Sequence, residues 1–225
     1  MQCRQSQGTG PENLLPEKSL TVTTAMAIDT TAANRLRHRF DEQQQVWLFG
    51  YGSLIFKADF PYLDRKPASI RDHARRFWQG SHDHRGTPAL PGRVVTLAPQ
   101  AGATCFGMAY LIRPDVFDYL DHREKNGYLR FSTTLTFDDG SHAQGLVYIA
   151  DPDNAAYLGP APDADIARQI AAAAGPSGRN RDYLTELAKA LTALDKTDPH
   201  VQALVDYLPP DSSTDITDTT TPHSR

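Results

Sequence analysis

The chain has 225 residues, of which 40% are hydrophobic and 22% are charged, and its formal net charge is −4. This hydrophobic content is enough for one ordinary core, and the charge gives no electrostatic argument for a nucleic-acid partner. No apolar run approaches the roughly 20 residues that a membrane-spanning helix needs, and the first residues lack the apolar stretch of a secretory signal. Because there are only two cysteines, we expect no disulfide framework and a reducing, cytoplasmic compartment.

Both ends of the chain differ in composition from its middle. Residues 1–44 are rich in Thr, Gln, Ser and Ala with little periodicity, and residues 210–225 are also of low complexity. Such segments bury too little apolar surface to fold, so we predict a disordered leader and a disordered tail whose removal is tolerated. A short helix within the stretch AANRLRHRFDEQQQ is the alternative for the end of the leader. One folded domain is expected over residues 45–209.

Six segments of this domain are typical of β-strands, because β-branched and aromatic residues lie between turns of Gly, Pro and Asp. In chain order they are VWLFG, RRFWQGS, RVVTLA, TCFGMAYLI, RFSTTLTF and AQGLVYIA. The sequence DDG, Asp138 to Gly140, predicts a hairpin between the last two strands. A short helix is expected between the fourth and the fifth of these strands, from Pro114 to about His122, since proline suits the first turn of a helix.

Three helices are predicted after the strands. Asp163 can cap ADIARQIAAAA, Asn180 can cap RDYLTELAKALTAL, and a last helix is expected over PHVQALVDYL. Strands first and helices later is the order of an α+β fold. We therefore predict a sheet or a small barrel that is braced by C-terminal helices.

The first strand ends at an unusual loop, Gly50-Tyr51-Gly52-Ser53. It lacks the third glycine of a dinucleotide-binding loop and the Lys-Ser/Thr pair of a nucleotide P-loop, so a phosphate site is weakly supported. A plain turn is one alternative. The other is a loop whose bare backbone lets N–H groups meet a carboxylate, or an oxygen that becomes negative during a reaction.

Glu124 lies just past the short predicted helix, in the stretch YLDHREKNGYLR. A carboxylate at the negative end of a helix is disfavoured, so its pKa can be raised toward the range that a general acid or base needs. The neighbouring Arg123 and Lys125 would lower it. A solvated helix end is the alternative.

Three further features have both a structural and a functional interpretation. His82, Asp83 and His84 form either a polar loop between strands or part of a metal site, although no distant Cys or His set completes one. Arg93 is either a solvated strand end or a clamp for an anion. Tyr157 is either a packed loop residue or a hydroxyl that lines a pocket.

Several blocks of the chain together resemble the ChaC family of glutathione-specific γ-glutamylcyclotransferases. The blocks occur in the family's order and at similar spacing, and they are VWLFGYGSLIFKADFPY, RRFWQGSHDHRG, GRVVTL, YLDHREKNGY, YLGPAP and IAAAAGPSGRN. Each block is weak alone, whereas six in register are specific. The strand LRFSTTLTF departs slightly from the threonine-rich strand of the family.

The resemblance implies a γ-glutamylcyclotransferase-like β-barrel and conversion of glutathione to 5-oxoproline and cysteinylglycine, with no metal or organic cofactor. The sequence itself gives no evidence of an obligate protein partner. It implies that Glu124 is the catalytic acid and base and that the loop from Leu48 to Ser53 binds substrate. Our candidates for substrate binding are Leu48, Phe49, Gly50, Tyr51, Gly52, Ser53, Arg93, Tyr128 and Tyr157. Two other hypotheses stay open, namely a cyclotransferase for other γ-glutamyl amines and a non-catalytic module that binds γ-glutamyl peptides or a protein.

Overall fold

The computed structural model describes residues 29–41 and 43–211. Its centre is a closed barrel of five strands in the order β1-β3-β2-β4-β5. The strands are β1 Val46–Gly50, β2 Asp64–Ser81, β3 Gly92–Ile112, β4 Tyr128–Phe137 and β5 His142–Ala150. The barrel and the helices that follow it confirm the predicted α+β class.

The barrel closes through the short strand β1. This strand is antiparallel to β3 and parallel to β5, whereas β2 is antiparallel to both β3 and β4, and β4 is antiparallel to β5. The predicted hairpin between β4 and β5 is present, and Gly140 adopts a φ of +82° in its turn. Because the barrel is closed, β1 is paired with a strand on each side, and the glycine loop at its end is held in a fixed position.

Two strands are longer than the sequence pattern predicts. The segments RVVTLA and TCFGMAYLI belong to one strand, β3, and β2 begins at Asp64 rather than at Arg75. The register of β2 against β3 shifts between Arg71 and His73, where Asp72 has a φ of +61°. A bend of this kind turns polar residues outward within a continuous strand, so the alternation of polar and apolar residues is interrupted.

Four helices follow or connect the barrel strands, and a two-stranded hairpin separates two of them. The helices are α2 Val116–Arg123, α3 Asp163–Ala172, α4 Asn180–Ala193 and α5 Pro199–Asp206, and the hairpin is β6 Ala174–Gly175 with β7 Gly178–Arg179. The predicted caps of α3 and α4 are wrong, because Asp163 and Asn180 are the first helical residues. In α5 the Asp198 side chain does cap, accepting from the N–H groups of His200 and Val201. In the part of the chain that the structure describes, none of the helices is long and apolar enough to cross a membrane.

Apolar faces of the C-terminal helices pack against the barrel. The spacing of Ile166 and Ile170 in α3, and of Leu184, Leu187 and Leu191 in α4, places all five in the main hydrophobic core. Burial of each such side chain contributes about 1.5–3 kcal/mol, so these helices are part of the domain's stability. The core also contains Phe49 and Tyr51, which flank the first glycine of the loop.

A further helix, α1 Thr31–Arg37, lies in the segment predicted to be disordered. Asn34 of α1 is fully buried. Its side chain donates to the Tyr128 carbonyl at 3.1 Å and accepts from the Arg130 N–H at 2.8 Å. The Asn34 carbonyl accepts from the Arg130 guanidinium at 2.6 Å. Residues 31–37 thus form the short helix that the sequence offered as the alternative to disorder, whereas residues 1–28 and 212–225 lie outside the described residues.

We expect deletion of residues 1–28 and deletion of residues 1–44 to have different effects on stability. The first removes only residues of low-complexity composition. The second removes Asn34, the partner of the buried Arg130, and should lower the free energy of unfolding by at least about 1–3 kcal/mol, the cost of a buried donor left unpaired. Urea denaturation of both proteins measures the difference.

A matched pair of point variants separates this bond from the loss of the whole segment. Asn34→Ala should reproduce most of the destabilisation. Arg35→Ala should change stability by less than about 1 kcal/mol, because the Arg35–Asp118 ion pair is solvent-exposed. Equal stability of the two truncated proteins would show that α1 contributes nothing to the folded domain.

Candidate active site

A cavity of about 250 Å³ lies where the loop after β1 faces the C-terminal end of α2, the loop after β2 and Tyr183 of α4. Most of the predicted site residues line it. These are Phe49, Gly50, Tyr51, Gly52, Ser53, Glu124 and Tyr128. Segments that are far apart in the chain therefore meet at one site.

Three predicted site residues do not line the cavity. The Leu48 side chain is fully buried in the cluster beneath α2. The Arg93 guanidinium is occupied by protein acceptors, namely Gln169 Oε1 at 2.6 Å and the carbonyls of Phe77 and Gly159 at 3.0 and 2.9 Å. Arg93 thus anchors α3 and the preceding loop to the barrel instead of facing an anion. Tyr157 forms a backbone bridge with Gln79 outside the cavity.

The glycines of the loop allow close approach of neighbouring side chains. A Cβ atom at Gly50 would lie 2.5 Å from Leu54 Cβ, and one at Gly52 would lie 2.7 Å from Val95 Cγ2 and 2.9 Å from the Tyr183 hydroxyl. Glycine at position 52 therefore leaves the space that the Val95 and Tyr183 side chains occupy.

Tyrosine side chains form much of the cavity wall. The Tyr51 hydroxyl donates to the Tyr148 carbonyl and the Tyr128 hydroxyl to the Val95 carbonyl, both at 2.8 Å. Burial raises the pKa of Tyr183 to about 12 and raises the pKa values of Tyr51 and Tyr128 as well. These hydroxyls stay protonated at neutral pH, so they serve as fixed donors and as walls.

Glu124 is the C-terminal cap of α2, and its side chain is 20% exposed. Burial raises the pKa of its carboxyl, the Arg123 guanidinium lowers it, and Asp59 raises it further. The raised pKa agrees in direction with the sequence argument, but its main cause is burial in the cavity.

Arg123 connects this carboxyl to the glycine loop. Its Nε lies 3.3 Å from Glu124 Oε1, and its Nη2 donates to Ser53 Oγ at 2.9 Å. Its Nη1 donates to Asp59. Arg123 thereby holds the Glu124 carboxyl beside the loop, so a carboxyl group and the glycine loop line one small cavity.

Comparison with known proteins identifies the family. Residues 46–209 match the family described as ChaC-like protein. The chain belongs to this ChaC-like family. It is 47% identical over 175 residues to Gamma-glutamylcyclotransferase 2-3 of Arabidopsis thaliana, covering 72% of this chain and 88% of that protein. It is 40% identical over 175 residues to Glutathione-specific gamma-glutamylcyclotransferase 1 of Homo sapiens, covering 73% and 79%.

A solved structure supports the family assignment at the level of the fold. The selenomethionine-labelled γ-glutamyl cyclotransferase specific to glutathione from yeast superposes with a TM-score of 0.69 at 33% identity. The match covers 74% of this chain and 96% of the yeast chain. The ChaC-like barrel predicted from the sequence is therefore confirmed.

Sequence reasoning missed several residues that line this cavity of the ChaC-like domain. Arg85 lies over the ring of Tyr183, with its Cζ 5.6 Å from the ring centroid, and its side chain is 14% exposed. Asp59 pairs with Arg123 at the opposite wall. The signal for Arg85 was its position in the block RRFWQGSHDHRG, whereas Tyr183 has the helical spacing of a core residue.

Besides Arg85, the polar loop after β2 contributes two residues to the cavity, Asp83 and His84. Asp83 accepts from the Asn126 side chain, and His84 Nδ1 lies 3.3 Å from Ser177 Oγ. His82 is not among the residues that line the cavity. Within residues 29–41 and 43–211, no three His, Cys, Asp or Glu side chains are grouped as potential metal ligands.

Proposed function

We propose that this protein is a glutathione-specific γ-glutamylcyclotransferase, which converts glutathione to 5-oxoproline and cysteinylglycine. One observation carries the proposal: Glu124, a carboxyl of raised pKa, lines the same cavity as the glycine loop. Membership of the ChaC-like family supports it, since the relatives carry names of that activity.

The reaction needs one proton acceptor that can also return the proton. The α-ammonium of the γ-glutamyl group loses a proton to the Glu124 carboxylate, and the free amine attacks the γ-carbonyl carbon. A five-membered ring closes with a negative oxygen on that carbon. The bond to the cysteinyl nitrogen then breaks as Glu124 returns its proton to this leaving group. The ring nitrogen loses its second proton, which the freed amine takes up, so no water is consumed.

The glycine loop supplies what the negative oxygen requires. Donors that are already in place act strongly where charge develops, and each is worth about 3 kcal/mol in the transition state. The loop presents main-chain N–H groups without side chains at positions 50 and 52. Because the attack is intramolecular, the cavity has mainly to hold a folded conformer of the substrate, for which effective molarities reach about 10⁵ M.

The reaction as written uses only side chains and main chain, and we propose no metal or organic cofactor for it. We place the protein in the cytoplasm, where the thiol of glutathione is kept reduced.

Mass spectrometry of purified protein with reduced glutathione tests the proposal directly. Equal amounts of 5-oxoproline and cysteinylglycine are expected. Release of 5-oxoproline from other γ-glutamyl amines, but not from glutathione, would assign a different substrate. Binding of glutathione without either product would assign a non-catalytic module.

We expect the pH dependence of kcat/KM to report the raised pKa of Glu124. The carboxylate is the active form, so kcat/KM should fall as the pH decreases through a midpoint above the ordinary glutamate pKa. Steady-state kinetics across the acid range measure this midpoint.

Two variants should move this midpoint in opposite directions. Arg123→Gln removes the charge that lowers the pKa, so the midpoint should rise, whereas Asp59→Asn removes a charge that raises it, so the midpoint should fall. Shifts of the same sign, or no shift in either variant, would exclude Glu124 as the titrating group.

A further inference from the structure

The peptide bond between Tyr51 and Gly52 is held by a residue outside the cavity. Arg75 of β2 is buried, with 1% of its surface exposed. Its Nε donates to the Tyr51 carbonyl at 2.7 Å, and its Nη1 donates to Asp198 Oδ2 at 2.6 Å. Its Nη2 donates to the Phe106 carbonyl. Arg75 does not line the cavity, so it approaches the glycine loop from behind.

This contact determines which way the next N–H group points. The described peptide bonds include no cis bond, and in a trans peptide the carbonyl and the N–H point in opposite directions. Since the Tyr51 carbonyl points to Arg75, the Gly52 N–H points away from Arg75, toward the cavity that Gly52 lines. Within residues 29–41 and 43–211, the Gly52 N–H has no protein acceptor.

We propose that Arg75 is a positioning residue for the cyclotransferase reaction. It fixes the Tyr51–Gly52 peptide so that the Gly52 N–H donates to the oxygen that becomes negative on the γ-carbonyl carbon. The inference rests on the proposed function and adds a residue that never touches the substrate. A rotated peptide would turn the Tyr51 carbonyl toward the cavity, where it would repel that oxygen.

The chemistry of the side chain explains why an arginine is required. Three acceptors surround it in different directions, namely two carbonyls and one carboxylate, and a planar guanidinium reaches all three at once. A lysine carries its charge at one point and cannot replace the three bonds. Asp198 also caps α5, so the ion pair connects the C-terminal helix to the loop.

A double-mutant cycle tests this role, with kcat and KM on reduced glutathione as the readout. The first change is Arg75→Lys. The second replaces Gly52 by glycolic acid, which exchanges the amide N–H for an ester oxygen without adding a side chain. Each alone should lower kcat about 10²-fold, the effect of losing one donor to the transition state, with little change in KM. Together they should cost little more than either alone, because both remove the same donor.

Controls separate positioning from loss of structure. Arg130→Lys is the matched control, because Arg130 is another buried arginine that pairs with a carboxylate, Asp121, at 3.3 Å. It should lower the melting temperature while retaining kcat within about threefold. Multiplicative losses in the cycle, or losses confined to KM, would overturn the proposal.

Unchanged kcat in the ester protein alone would also overturn it, even if Arg75→Lys fails to fold. Failure of the proposed function is a separate result. If the unaltered protein cleaves another γ-glutamyl amine but not glutathione, the same cycle can be measured on that amine.

Discussion

Replacing Glu124 by glutamine should lower kcat on reduced glutathione at least about 10²-fold, the low end for loss of a general base. Glutamine keeps the size and the hydrogen-bonding capacity of the side chain but cannot accept the proton of the substrate ammonium. The melting temperature should not fall, because burial disfavours the charged carboxylate in the folded protein. Activity and stability should therefore respond differently to the same change.

Asp118→Asn is the matched control for this variant. Asp118 lies on the same helix, and its side chain is 76% exposed, so its neutralisation should leave kcat and the melting temperature almost unchanged. Circular dichroism and thermal melting check the fold of both variants. Turnover of a folded Glu124→Gln protein within about tenfold of the unaltered protein would remove Glu124 from the role of acid and base.

Gly52→Val should lower kcat/KM far more than Ser53→Ala, although the two positions are adjacent. A Cβ at position 52 would lie within 3 Å of both Val95 Cγ2 and the Tyr183 hydroxyl. Valine would therefore displace the loop or the cavity wall, and we expect a loss of at least about 10²-fold, which is the effect of misplacing one donor. The cause of this loss is crowding against the Val95 and Tyr183 side chains.

Ser53→Ala should retain kcat/KM within about tenfold. The serine hydroxyl accepts one hydrogen bond from Arg123, which also contacts Glu124 and Asp59, and the Ser53 amide is unaffected. Gly52→Ala is an intermediate variant that adds the Cβ alone. If Ser53→Ala is folded and inactive while Gly52→Val stays active, the loop does not act through its main chain and the serine hydroxyl takes part directly.

The sequence by itself determined those features that depend on neighbouring residues. The apolar spacing in α3 and α4 was enough to predict both helices, because a helical face is set by residues three or four apart. The glycine loop and Glu124 were recognised from short blocks in a fixed order. The cavity brings both of them together.

Only the tertiary structure decided which of the arginines could serve the site. Arg93 and Arg85 both lie near turns in the sequence. In the fold, Gly159 and Gln169 come close enough to occupy the Arg93 guanidinium, whereas Arg85 lines the cavity. Helix α1, which the sequence offered only as the alternative to disorder, was decided in a similar way, because Asn34 is held by hydrogen bonds to a distant strand and not by an apolar face.

The raised pKa of Glu124 also depends on the tertiary structure. Its direction could be argued from the helix end, but its main cause is burial by segments that only the fold assembles. Burial and the direction of a hydrogen bond depend on partners that lie tens of residues away in the chain. The local sequence pattern therefore identifies the chemical groups, and the closed barrel decides which of these groups come into contact.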